Sequence, residues 1–244
     1  MKSILDFVSP SYDGLKGRES IEWANFWYSQ SNSIPQPCNR ILLIGDSTAR
    51  MVRSTFERLQ GIPVDMIGSS CGLHDILFFK QIDAFFASAN YPYTAIFIQM
   101  GHHSIRGESG ELYREDDYKR FRIDYVGLIN YLRQYTENII LLSSFLNVTP
   151  IPPKFDSTIL NIPFLIYRKI FGEKIDYSWS DIVIKKNGIV EEISKTEQLK
   201  FCDIDRYMRL KCNGMFPRYI HKDHIHYWGF RAKYAIAKEY AKYL

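Results

Sequence analysis

The sequence predicts an α/β fold, a three-layer α/β/α sandwich built on a five-stranded parallel sheet. Two observations predict it. Short runs that are apolar on both faces alternate with longer segments in which apolar residues recur every three or four positions. Such runs are typical of parallel strands that helices cover on both sides, and the alternation favours right-handed crossovers. The five runs occupy residues 40–44, 63–67, 94–100, 138–145 and 199–204.

The segments between the runs have helical periodicity. In residues 48–59, for example, Met51, Val52 and Phe56 lie on one face of a helix. The same spacing predicts helices over residues 76–87, 117–135, 180–199 and 227–244, and a further helix over 19–29.

The chain length fits one α/β domain over residues 1–244. Two regions lie outside the alternating pattern: an N-terminal extension over residues 1–38 and an insertion over 147–177. The insertion is rich in proline and has no regular period, which is typical of a lid-like loop that contacts a substrate.

Charge and cysteine content exclude several classes of protein. The net charge is +4, and the basic residues form no stripe, so no nucleic-acid partner is expected. Four cysteines without a CxxC pair indicate the reduced thiols of a cytoplasmic protein. The N-terminus lacks the apolar core of a signal peptide, and the run at 159–167 is about half the length that crosses a bilayer. We therefore expect a cytoplasmic protein without a membrane span.

The first candidate site is Gly45-Asp46-Ser47-Thr48, where the first strand gives way to a helix. A serine at a helix N-terminus lies beside unpaired backbone N–H groups that can stabilise a developing oxyanion. Serine and threonine are also common helix caps, so capping alone is an alternative interpretation.

The second candidate site is Asp223-His224-Ile225-His226, just before the last predicted helix. A nucleophilic serine needs a base, and the base needs a partner that fixes its tautomer. A carboxylate three residues before a histidine can be that partner if the turn folds back, whereas two solvated side chains in a loop are the alternative. The presence of both motifs at opposite ends of an α/β chain favours catalysis.

The two motifs resemble the first and last sequence blocks of the SGNH (GDSL-like) hydrolases. The resemblance covers roughly residues 39–146 and 180–244. It implies that Ser47 is the nucleophile, His226 the base and Asp223 its partner. It also implies a flavodoxin-like strand order of 2-1-3-4-5 and an oxyanion-hole glycine after the second strand. Gly72 matches that glycine better than Gly68 does.

The third block departs from the family. Gly101-His102-His103 stands where Gly-x-Asn is expected, and His103 occupies the position of the oxyanion-hole asparagine. A neutral imidazole N–H can replace the amide donor, and His102 is the alternative donor.

Two short stretches resemble the plant cell-wall polysaccharide O-acetyltransferases. These enzymes have a Gly-His pair in the third block and an arginine three residues after the serine, where this sequence has Arg50. The resemblance implies hydrolysis or transfer of O-acyl groups, above all acetyl, on a small-molecule or glycan substrate. Arg50, Gly68 and Arg106 are candidate substrate-binding residues. No cofactor is implied, except acetyl-CoA as the acyl donor of a transferase.

Two other functions compete with a serine enzyme. Five of the six histidines lie in two segments, and with Asp223 and His74 they could bind a metal: His102, His103, His221, His224 and His226. A metal-dependent hydrolase leaves Gly45-Asp46-Ser47 unexplained, and we expect no metal. A glycan-binding module that lacks activity would have a disrupted triad.

Overall fold

The structure is a computed structural model. It describes residues 2–8, 24–28, 39–88, 92–103, 112–146, 178–212, 226–227 and 229–244.

A six-stranded sheet forms the middle layer. Its strands are β1 (Ala24–Trp27), β2 (Ile41–Gly45), β3 (Val64–Ser69), β4 (Ala95–Gln99), β5 (Ile139–Leu142) and β6 (Lys200–Cys202). The strand order is β1-β3-β2-β4-β5-β6, and β2 to β6 are all parallel. These five parallel strands therefore have the predicted order 2-1-3-4-5. The bounds of β2 and β3 lie within two residues of the predicted runs, whereas β4, β5 and β6 are shorter than predicted.

The helices cover both faces of this sheet. They are α1 (Ser47–Gln60), α2 (Ile76–Ser88), α3 (Glu115–Leu132), α4 (Ser178–Thr196), α5 (Ile204–Cys212) and α6 (Phe230–Tyr240). Short 3₁₀ helices lie at Ile4–Asp6 and Ala241–Tyr243. The nine-residue helix α5 was not predicted, because it follows β6 directly and its periodic stretch is short.

Alternate residues of each strand face opposite layers. Ile41 and Leu43 of β2 pack in one core cluster with residues of α1, α5 and α6. Leu42 and Ile44 pack in the other cluster with residues of α2, α3 and α4. Because β2, β3, β4 and β5 are buried along their whole length, their sequences are largely apolar, which is why the runs were recognisable.

The predicted helix over residues 19–29 is wrong where the structure describes it. Residues Ala24–Trp27 form β1, which pairs antiparallel with β3 at the edge of the sheet. Aromatic residues favour strands, and here Phe26 contacts the Phe85 ring of α2 edge to face. The guanidinium of Arg53 lies 4.4 Å from the Trp27 ring centroid. Tertiary contacts at the sheet edge outweigh the helical spacing of the sequence.

The order of the strands positions a crevice. β2 pairs with β3 on one side and β4 on the other, so the chain direction of the crossovers reverses at β2. In open parallel sheets, ligands bind outside the carboxyl ends of the strands at such a point. None of the helices in the described ranges is long and apolar enough to cross a membrane.

Candidate active site

The nucleophile candidate is the first residue of α1, directly after β2. Asp46, not Ser47, caps this helix: its backbone is extended and its Oδ1 accepts hydrogen bonds from the Thr48 backbone N–H at 2.8 Å and the Thr48 hydroxyl at 2.6 Å. The capping interpretation of Ser47 is therefore wrong. The Ser47 hydroxyl is left for another partner.

That partner is His226. Ser47 Oγ lies 2.6 Å from His226 Nε2, although the two residues are 179 positions apart in the chain. Both side chains are half-buried. With Nε2 unprotonated, the ring can accept the hydroxyl proton, which is the arrangement that activates a serine.

Packing of the last helix against the first brings the pair together. The Tyr240 ring of α6 meets the Phe56 ring of α1 edge to face, at a centroid distance of 5.7 Å. Next to His226, the buried Tyr227 ring lies 4.8 Å from the ring of Phe145, just beyond β5. The residue next to His226 is thus packed beside β5, and the helix that follows is packed on α1.

A small cavity lies at the same edge of the sheet. Its volume is about 10 Å³, which is room for about one water-sized group. It is lined by Asp46, Gly72, Leu73, Met100, Gly101, His103, Phe121 and Lys186. Gly72 comes from the turn after β3, where the Asp75 N–H donates to its carbonyl at 3.0 Å. Asp46, the residue before Ser47, therefore lines the same cavity as Gly72 and His103, two of the three predicted oxyanion-hole residues.

No protein-family model matches the sequence, and no curated protein matches it. Solved structures do match. The chain is similar to the acetylxylan esterase Axe2 from Geobacillus stearothermophilus, at 11% identity and a TM-score of 0.55, over 84% of this chain and 93% of that one. It is also similar to a GDSL-like lipase from Bacteroides thetaiotaomicron, at 16% identity and a TM-score of 0.53, over 86% and 93% of the two chains. The chain has the SGNH hydrolase fold.

The two histidines of the third block differ in their surroundings. His103 is half-buried and lines the cavity. His102 is only 3% exposed. The pKa of His102 is lowered to about 4, chiefly because the ring is buried. The negative charge of Asp46 opposes this shift, and the neighbouring rings of His103 and His226 add to it. His102 is therefore neutral at pH 7, and His103 is the better placed of the two to donate to a group in the cavity.

Distant elements of the SGNH fold fix the turn that carries these histidines. A Cβ at Gly101 would lie 2.4 Å from Ser144 Oγ, so the position accepts only glycine unless Ser144 moves. Ser144 is in turn held by Asn187 of α4, whose amide accepts from the Ser144 N–H and donates to the Ser144 carbonyl, each at 2.8 Å.

The other predicted site residues lie apart or outside the described ranges. Arg50 is exposed on the first turn of α1. Gly68 lies within β3, in register with Gly45 of β2, and the described lining of the cavity does not include it. Asp223 and Arg106 lie outside the described residues, as do His221 and His224. Within the described ranges no three His, Cys, Asp or Glu residues form a metal-binding group.

The charged residue of the cavity that was not among the sequence-predicted site residues is Lys186. It lies on the apolar face of α4 with Val183, Val190 and Ile193, and all four side chains are buried. A lysine at a core position of an amphipathic helix was the available signal.

Proposed function

We propose that this protein is a serine-dependent acyl-ester enzyme that hydrolyses or transfers O-acyl groups, above all acetyl, on a carbohydrate through an acyl-Ser47 intermediate. The 2.6 Å contact between Ser47 Oγ and His226 Nε2, at the carboxyl end of β2, carries the proposal. A binding module without activity would not need this contact. The similar structures named above include an acetylxylan esterase, which supports an acetylated carbohydrate as the substrate class.

In the first half-reaction Ser47 Oγ attacks the ester carbonyl carbon while its proton passes to His226 Nε2. Negative charge forms on the carbonyl oxygen. The backbone N–H groups of Ser47 and Gly72 and the ring of His103 stabilise it. The C–O bond to the sugar then breaks, and the proton on His226 goes to the departing sugar oxygen.

In the second half-reaction His226 takes a proton from an acceptor hydroxyl, whose oxygen attacks the acyl-Ser47 carbonyl carbon. The bond from that carbon to Ser47 Oγ then breaks, and His226 returns the proton to Ser47 Oγ. With water as acceptor the enzyme is an esterase. With a sugar hydroxyl it is an O-acetyltransferase, the alternative that the Gly101-His102 pair and Arg50 favour. Asp223 is the residue proposed to orient His226.

Intact-mass measurement separates these activities. After incubation with p-nitrophenyl acetate or with acetyl-CoA, we expect one acetyl adduct that maps to Ser47 and is absent from the Ser47→Ala variant. An adduct from acetyl-CoA that is discharged only by an added glycan supports the transferase. An adduct that water discharges supports the esterase.

Chelation tests the metal-dependent alternative. We expect turnover of p-nitrophenyl acetate to survive EDTA and to be lost on treatment with a serine-directed phosphonate. Loss of activity in EDTA and its recovery with zinc would contradict the serine mechanism and favour the histidines as metal ligands.

A further inference from the structure

The cavity beside the nucleophile contains a cation that the proposed mechanism does not use. Lys186 of α4 is 1% exposed and lines the cavity together with Gly72 and His103. Its neighbour on the same helix, Lys185, is exposed and pairs with Glu115 instead. The two adjacent lysines thus occupy opposite environments.

The ammonium group of Lys186 is held in one place by several contacts. Nζ donates a hydrogen bond to the carbonyl oxygen of His103 at 3.3 Å. It also lies 4.1 Å from the ring centroid of Tyr113 and 5.2 Å from that of Phe121, within the range of cation–π attraction. The Tyr113 hydroxyl is itself 2.9 Å from His74 Nδ1. The group is fixed against the turn that carries His103.

Burial of this ammonium opposes folding. Moving a charged amine out of water costs several kcal/mol, and a methionine of similar length would fill the same core position without that cost. A charge kept in such a place is often a functional one. Here it lies at the cavity where the proposed mechanism develops negative charge.

We propose that Lys186 is a positioning residue of the oxyanion hole, which holds the His103 turn through the His103 carbonyl and adds positive charge beside the developing oxyanion. The inference rests on the proposed function. Lys186 exchanges no proton with the substrate: the Ser47 proton goes to His226, and the oxyanion collapses back to a carbonyl. Because the negative charge exists only after the attack, the effect is on kcat more than on KM.

Ionisation of Lys186 should be visible in the pH dependence of kcat. Burial lowers the pKa of Lys186 to about 7, and Asp117 of α3 opposes that shift. The other titratable groups around it are His74, which burial and the Lys186 charge keep neutral with a pKa of about 3, and Asp46 and His103 across the cavity. As pH rises through about 7, Lys186 loses its proton. The neutral amine can still donate to His103, but the positive charge is gone, so kcat falls on the alkaline side.

The decisive experiment compares Lys186→Met with Lys185→Met, on p-nitrophenyl acetate across pH 5–9. Lys186→Met should lower kcat about 10- to 100-fold, less than the loss of a direct oxyanion donor. KM should stay within about twofold, and the alkaline decline should disappear. Lys185→Met should keep the wild-type kcat and the wild-type pH profile. Lys186→Gln, which keeps a donor without the charge, should recover part of kcat but not the alkaline decline.

Three results would overturn the proposal: a folded Lys186→Met with wild-type kcat, a raised KM at constant kcat, or an unchanged alkaline decline. If the Lys186 variants do not fold, the wild-type profile decides, and an enzyme without a decline near pH 7 contradicts the role. Ser47→Ala, measured in parallel, shows whether a negative result concerns the role of Lys186 or the proposed function as a whole. If Ser47→Ala keeps wild-type turnover, the function itself is wrong; if it is inactive, the Lys186 result stands alone.

Discussion

The nucleophile turn (residues 45–48) and the histidine turn (residues 101–103) both follow a parallel strand, yet they are stabilised differently. In the nucleophile turn, the capping bonds are local, because Asp46 accepts from Thr48 two residues away, and the Thr48 hydroxyl also lies 2.9 Å from Gln99 Oε1 of β4. In the histidine turn, the contacts come from distant elements: Ser144 crowds Gly101, and Lys186 holds the His103 carbonyl. A turn whose helix cap lies within its own residues is recognisable as a motif, whereas a turn held mainly from outside tolerates a departure from the motif. That is how His103 can stand at the position of the expected asparagine.

The largest effect is expected in the nucleophile turn. Ser47→Ala should lower kcat for acyl esters by about 10⁶-fold, as removal of a nucleophile from a serine triad does. Because Asp46 caps the helix, the free energy of unfolding should change by about 1 kcal/mol or less. Kinetics and urea unfolding measure the two quantities. Ser54→Ala, on an exposed position of the same helix, is the control and should change neither. Substantial turnover by a folded Ser47→Ala would remove the serine from its role.

In the histidine turn, His103→Ala should lower kcat by about 10²–10³-fold with little change in KM, since one oxyanion donor is lost. His103→Asn should be milder, because the amide restores a donor at the position where the SGNH family has one. Steady-state kinetics of the two variants test the comparison. A rise in KM at constant kcat would instead make His103 a substrate-binding residue.

The dependence of the histidine turn on distant residues can be tested at Gly101. Gly101→Ala should destabilise the protein by about 1–3 kcal/mol, because the new methyl group overlaps Ser144 Oγ. Adding Ser144→Gly should recover much of that loss in thermal unfolding. Gly188→Ala is the control: it has open space in α4 and should stabilise the helix by about 0.5–1 kcal/mol. An equal loss in the single and double variants would refute the steric coupling.

The local nature of the nucleophile turn predicts a smaller effect at its cap. Asp46→Ala should lower the free energy of unfolding by about 1 kcal/mol, whereas Asp46→Asn should cost less because asparagine also caps helices well. Urea midpoints of the two variants give the difference. Equal losses would mean that the charge of Asp46, and not its capping bond, stabilises the turn.

The smallest effect at neutral pH concerns His102. Its pKa is about 4 in the folded protein, below the ordinary value of 6.5, so the unfolded chain binds a proton first as pH falls. Above pH 6.5 His102 is neutral in both states and does not affect the free energy of unfolding. As pH falls from 6.5 to about 4, His102 is protonated only in the unfolded chain, so the free energy of unfolding decreases progressively. His102→Gln should flatten this part of the curve of unfolding free energy against pH. Parallel curves for the two proteins would show that His102 does not carry the acid sensitivity.

The sequence by itself determined the parallel sheet and the approximate positions of its five parallel strands, and its resemblance to the SGNH hydrolases pointed to Ser47 and His226. Strands that are buried on both faces are largely apolar, and each of the two site motifs occupies only a few consecutive residues, so both kinds of feature are recognisable in the sequence. Only the tertiary structure decided that residues Ala24–Trp27 form an edge strand, because the contacts with Phe85 and β3 lie far away in sequence. The environment of Lys186 was decided in the same way. The sequence does not distinguish a buried lysine from an exposed one. The burial of Lys186 depends on α4 packing over the end of β5 and the His103 turn.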